Sequence, residues 1–207
     1  MNQTYTIIED CSPYYIRFTY DGIDEFIDYA TKVYNEHDWS HVKSKFNVNF
    51  RHCRLPVDIA TKIIQATPIA NDILLKQTRV SYFHSKPGLK YTAHKDGIDH
   101  RFSINYTLKV LDDKCITSWY TDEELSEYHL EISDISRELN EFDSNKHKPI
   151  KTMIAQTHEC ILFNTEIYHA WDNSQSTNER LVLTLRAADT ANIYYDDAKK
   201  ILFGIDT

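Results

Sequence analysis

The sequence predicts an α+β fold that is mainly β: an antiparallel β-sandwich or jelly roll flanked by N-terminal helices. Three observations carry that prediction. Two amphipathic helical patterns fall within the first 70 residues. From about residue 73, short strand-like segments follow one another with little helix between them. Two of these, RFSINYTLKV at 101–110 and RLVLTLRA at 180–187, alternate residue by residue, as a strand with two unlike faces does.

The elements follow in order. Residues 4–8 and 14–19 are rich in Tyr, Ile, Thr and Phe, with Ser12-Pro13 between them, and read as two strands. Asp21-Gly22 marks a turn. Residues 23–36 place Ile23, Phe26, Ile27, Ala30 and Val33 at helical spacing. A second helix at 56–66 starts with Pro56 as an early helical residue and carries Val57, Ala60, Ile63 and Ile64 on one face. ILLKQTRVSYFHS, at 73–85, is strand-like, and Lys86-Pro87-Gly88 ends it. In 101–110, Phe102, Ile104, Tyr106, Leu108 and Val110 point one way and Arg101, Ser103, Asn105, Thr107 and Lys109 the other. Strands also read at 115–121, 152–157, 160–164 and 180–187. The last sets Leu181, Leu183 and Leu185 opposite Arg180, Val182, Thr184 and Arg186. Residues 194–204 fit a short closing helix. One stretch breaks the rhythm: residues 122–143 hold nine acids against Arg137 as the only Lys or Arg. It reads as a solvated helix or loop, or as a lid whose acids meet a cationic substrate.

The length of 207 residues suits one domain. Its parts would be a helical N-terminal support (1–70), a jelly-roll core (73–187) and a C-terminal extension (188–207). A net charge of -8 repels phosphate backbones, so nucleic acid is not the expected partner; a small molecule or a peptide is. The four cysteines, Cys11, Cys53, Cys115 and Cys160, are scattered and suggest reduced thiols in the cytoplasm. The N-terminus lacks the pattern of a signal peptide, and no apolar run is long enough to span a membrane.

The chemistry is read from YTAHKDG at 91–97. On a strand, His94 and Asp96 project from the same face, with Lys95 on the other. Alone, such a pair is better explained by an exposed turn beside Gly97. The segment CILFNTEIYHAWDN adds weight, because it carries a buried strand into a turn and then presents His169. Eleven residues later Arg180 opens an alternating strand. Two histidines and a carboxylate make a facial triad, which leaves open positions on Fe(II). A fixed guanidinium nearby grips a carboxylate with two hydrogen bonds.

In these residues the chain resembles the Fe(II)- and 2-oxoglutarate-dependent oxygenases, whose pattern is H-x-D, a distal His and then an Arg or Lys. The resemblance covers about residues 77–187. Within that superfamily the segment HAWDNSQSTNERLVLTL looks most like the aspartyl/asparaginyl and prolyl hydroxylase-like members. The resemblance implies a double-stranded β-helix, the cupin-like jelly roll. It implies that His94, Asp96 and His169 ligate Fe(II), and that Arg180, or Arg186 on the same strand face, pairs with the distal carboxylate of 2-oxoglutarate. It implies a dioxygenase that consumes O2 and 2-oxoglutarate and hydroxylates an amino-acid side chain, free or in a peptide. Asn105 would contact the co-substrate if its strand face lines the barrel. Tyr82 and Tyr91 carry hydroxyls that would suit a bound carboxylate, although in so Tyr-rich a chain core or rim packing is the favoured reading of each. The alternatives are a non-catalytic jelly-roll binding module and a cupin-like metalloprotein that uses no oxo acid.

Overall fold

The computed structural model describes residues 4–39, 50–96, 101–110, 112–125, 136–138, 147–188 and 192–205. The alternating strand predicted at 101–110 is β6 (Phe102–Lys109), and it sits in the middle of a seven-stranded antiparallel sheet. That sheet also holds β1 (Tyr5–Cys11), β2 (Tyr15–Tyr20), β3 (Phe50–Arg54), β4 (Ser81–Ser85), β10 (Cys160–Asn164) and β12 (Arg180–Leu185), in the order β1-β2-β10-β6-β12-β4-β3. A second sheet is built from β5 (Lys90–Asp96), β7 (Ile116–Trp119), β8 (Ser136–Glu138), β9 (Lys151–Ile154) and β11 (His169–Asp172), in the order β8-β5-β11-β7-β9.

The two faces of β6 go to different places, as its alternation requires. Phe102, Ile104, Tyr106 and Leu108 join Ile16, Phe18, Leu162, Leu181, Leu183 and Leu185 on one side of the large sheet. That side packs on α1 (Ile23–Glu36) through Phe26, Ile27 and Ala30, and on α2 (Val57–Ala66) through Ala60 and Ile63. Each fully buried Ile, Leu or Phe contributes about 1.5–3 kcal/mol, which makes this layer the main store of stability. The opposite side faces the second sheet: Tyr15, Ile161 and Phe163 meet Trp119 and Met153 there. Trp119 stacks on Tyr15 at 5.0 Å between ring centroids.

The helices fall where periodicity puts them. Gly22 precedes α1 with φ +88°, a left-handed conformation that side chains with a Cβ resist. Pro56 stands one residue outside α2, as its N-cap. The C-terminal helix α4 (Tyr195–Phe203) lays Tyr195, Ala198 and Leu202 on the same core. Three local readings change. Segment 73–85 is a strand only from Ser81; Gln77–Arg79 form a 3-10 turn, and Leu75 makes a single bridge to Ala187. β1 runs on to Cys11, because the chain reverses only between Cys11 and Tyr15. β3, β8 and β11 are additional strands, β3 and β8 at sheet edges. Of the acidic stretch, only α3 (Asp122–Leu125) and β8 fall among the described residues. Among the described residues, no helix is long and apolar enough to cross a membrane.

Candidate metal centre

β5 and β11 are antiparallel neighbours, and His94 lies directly opposite His169. Directly opposed side chains are the closest pairs a sheet offers. Their rings lie 4.4 Å apart between centroids, and Asp96 follows two residues on from His94. One donor atom from each of His94, Asp96 and His169 lies within 4.8 Å of the other two. His94 Nε2 is 3.8 Å from Asp96 Oδ1.

The imidazoles are oriented by their own strands. His94 Nδ1 donates to the Thr92 carbonyl at 3.0 Å, and His169 Nδ1 to the Ile167 carbonyl at 2.9 Å. Each bond puts the proton on Nδ1 and leaves the Nε2 lone pair directed away from the backbone, which is the tautomer a metal requires. His169 is held neutral as well. Burial above all, then the neighbouring His94, pushes its pKa down to about 3, with the Arg186 cation adding a smaller push. Phe163 stands edge-on to the His169 ring at 4.8 Å and walls it from below. Lys95 points elsewhere: its Nζ donates to Asp122 at 2.7 Å and lies over the Tyr168 ring.

Asp96 has a cation beside it. Arg186 Nη2 donates to Asp96 Oδ2 at 2.7 Å. Arg180, at the other end of the same strand face, is held differently. Its guanidinium carbon lies 5.9 Å from the centre of the Trp171 ring, and its Nε is buried with no hydrogen-bond partner. Asn105 Oδ1, Thr107 Oγ1, Thr117 Oγ1 and Trp119 Nε1 are also buried and unpartnered. Asn105 and Thr107 share the inner face of β6, while Thr117 and Trp119 share one face of β7, opposite Trp171 and His169. Each such atom carries a penalty of about 1–3 kcal/mol unless something polar meets it. The donors among these atoms, Arg180 Nε, Trp119 Nε1 and the two threonine hydroxyls, suit a small polar anion, whereas Asn105 Oδ1 can only accept.

A bulge brings in Tyr91. On a straight strand Tyr91 and His94 would face opposite ways. Between His169 and Trp171 the pairing of β11 with β5 slips by one residue, so His169 pairs with His94 and Trp171 with Tyr91. Tyr91 thereby meets the His94 ring edge-on at 4.9 Å and stacks on Trp171 at 5.9 Å. Tyr82 is not brought to this centre. It lies on the helix side of the large sheet, and its hydroxyl donates to the Ala30 carbonyl of α1 at 2.8 Å. Sequence reasoning did not single out Thr107 and Thr117; their alternation with Asn105 and with Trp119 was the available signal.

No known family model matches the chain, and no curated protein matches it. Solved structures do. The chain is similar to HygX from Streptomyces hygroscopicus, whose crystal structure holds nickel and 2-oxoglutarate, at 10 % identity and a TM-score of 0.55 over 83 % of this chain and 81 % of that one. It is similar to SnoN, a non-heme alpha-ketoglutarate dependent epimerase from nogalamycin biosynthesis, at 12 % identity and a TM-score of 0.52 over 89 % and 84 % of the two chains. SnoK, the carbocyclase of the same biosynthesis, matches at 12 % identity and a TM-score of 0.53 over 84 % and 79 %. At these identities the likeness shows the fold, and that fold is the jelly roll of two antiparallel sheets that the sequence predicts.

Proposed function

We propose that this protein is an Fe(II)- and 2-oxoglutarate-dependent dioxygenase that hydroxylates an amino-acid side chain, free or in a peptide. The observation that carries the proposal is the convergence of His94, Asp96 and His169, with both imidazoles turned by Nδ1 bonds so that Nε2 is the open nitrogen. A neutral, neutral and anionic donor set of two nitrogens and one oxygen fits Fe(II). HygX is solved with nickel and 2-oxoglutarate bound, and SnoN with Fe3+ and alpha-ketoglutarate, in the same fold.

In this reading the two histidine Nε2 atoms and Asp96 hold the metal. Bound there, Fe(II) supplies the redox chemistry by which O2 and 2-oxoglutarate are converted to succinate, CO2 and a hydroxylated substrate. The protein's own work is binding and orientation. Arg180 takes the distal carboxylate of 2-oxoglutarate, and its unpartnered Nε supports that choice. Arg186 is already committed to Asp96, which argues against it as the anchor. Thr107, Thr117 and Trp119 supply hydrogen-bond donors around the co-substrate, Asn105 contacts it from the same face of β6, and Trp171 and Tyr91 wall it. The amino-acid substrate rests on the likeness of the HAWDNSQSTNERLVLTL segment to hydroxylase-like oxygenases. A cytoplasmic setting belongs to the same proposal and suits four free thiols.

The experiment is succinate formation from 2-oxoglutarate with Fe(II) and O2, run with amino acids and peptides as substrates. Wild type forms succinate, and the His169→Ala variant forms none. Equal turnover by the two proteins sinks the assignment, and no turnover by either favours a binding module. A product carrying one added oxygen atom on a side chain identifies the substrate class.

A further inference from the structure

The two carboxylate oxygens of Asp96 face different partners. Oδ1 lies 3.8 Å from His94 Nε2. Oδ2 accepts the 2.7 Å hydrogen bond from Arg186. Only 15 % of the Arg186 side chain and 18 % of the Asp96 side chain are exposed, so water competes little for this bond. Charge-assisted bonds of this kind are among the stronger ones a protein makes. Both residues are also held by their backbones. The Arg186 carbonyl accepts from Lys76 N at 2.8 Å, and Asp96 N donates to the Thr165 carbonyl at 3.2 Å.

A carboxylate with both oxygens open binds a divalent ion through one oxygen or through two. The difference matters at a facial triad, because a second oxygen takes a position that the oxo acid needs. Resting on the function proposed above, we propose that Arg186 is a positioning residue that reserves Asp96 Oδ2. Asp96 then serves the metal through Oδ1 alone, and the remaining positions stay open for 2-oxoglutarate. Arg180 and Arg186 thus divide two tasks on one strand face: one binds the co-substrate and the other keeps its place clear.

The test uses the full chain loaded with Co(II), whose visible absorption reports coordination, and titrated with 2-oxoglutarate in the absence of Fe(II). The Arg186→Met variant is expected to bind Co(II) with an altered spectrum and to bind 2-oxoglutarate at least about tenfold more weakly than wild type. Arg186→Lys, which keeps one donor for Oδ2, is expected to restore most of that affinity. A methionine variant with wild-type spectrum and wild-type 2-oxoglutarate affinity overturns the inference. A second measurement does not depend on either variant folding. A crystal structure of the wild-type protein with Co(II) and 2-oxoglutarate is expected to show Oδ1 alone on the metal and Oδ2 on Arg186; both oxygens on the metal overturns it. Failure of the wild-type protein to bind Co(II), with Asp96→Ala indistinguishable from it, overturns the functional reading itself, and is told apart in that way.

Discussion

Burying the Nε of Arg180 without a partner costs on the order of 1–3 kcal/mol in a protein that holds nothing against it. The side chain is kept there nonetheless, with its guanidinium over the Trp171 ring. A ligand that bonds to it recovers that energy as affinity. Removing the guanidinium by Arg180→Ala should therefore weaken 2-oxoglutarate binding by about 2–4 kcal/mol, roughly 30- to 1000-fold, in the range for one partner of a desolvated charge pair. Co(II) affinity without the oxo acid should not change, since Arg180 touches none of the three donors. Calorimetry on the variant checks both. Asn105→Ala removes a single neutral group and should cost about 1 kcal/mol of co-substrate affinity in the same assay. What the residues alone revealed was the shared strand face of Arg180 and Arg186. They did not reveal which was engaged by Asp96, because that pairing joins positions 90 apart in sequence.

At the scale of elements, alternation was the readable signal and pairing was not. β6 and β12 turn Phe102, Ile104, Tyr106, Leu108, Leu181, Leu183 and Leu185 to the helix side of the large sheet, as their alternation predicts, and pair Asn105 with Thr184 and Thr107 with Val182 on the other. β3 reads FRHCR, with no apolar alternation to announce a strand; it lies at the sheet edge and gives Cys53 to the buried core. The bulge of β5 against β11 also had no mark in YTAHKDG, because it exists only as a mismatch between two strands. For Tyr82, strand alternation gives a parity but not which side of the sheet holds the site. Tyr82 lies on the side facing α1. Tyr82→Phe removes one hydrogen bond to α1 and should lower stability by about 0.5–1.5 kcal/mol in urea unfolding. It should leave co-substrate affinity as in wild type, which titration with 2-oxoglutarate checks.

For the molecule as a whole, the space between the sheets has two unlike ends. At one end of β10, Phe163 touches His169. At the other, Arg17 Nε and Nη2 bond Glu159 at 2.6–3.0 Å, and Arg17 Nη1 reaches Glu9 at 3.2 Å. Glu159 is 3 % exposed, and burial raises its pKa even against the pull of Arg17. Glu159→Ala leaves a largely buried guanidinium with Glu9 alone. It should cost about 2–4 kcal/mol, somewhat less than breaking an isolated buried pair, because Glu9 remains. The expected readout is a lower urea midpoint with an unchanged slope.

The large sheet keeps the helix-packed core on one side of a layer of backbone and the unpartnered polar atoms of Asn105, Thr107 and Arg180 on the other. Stability and chemistry are therefore separately mutable. A change against α1 or α2 alters how long the protein survives heat, and a change at Arg180 or Asn105 alters what it binds. Combining one of each, as in Tyr82→Phe with Arg180→Ala, should give effects that simply add, to within about 0.5 kcal/mol. Substitutions accumulated on the helix side can thus adapt this scaffold to a new temperature without renegotiating its reaction.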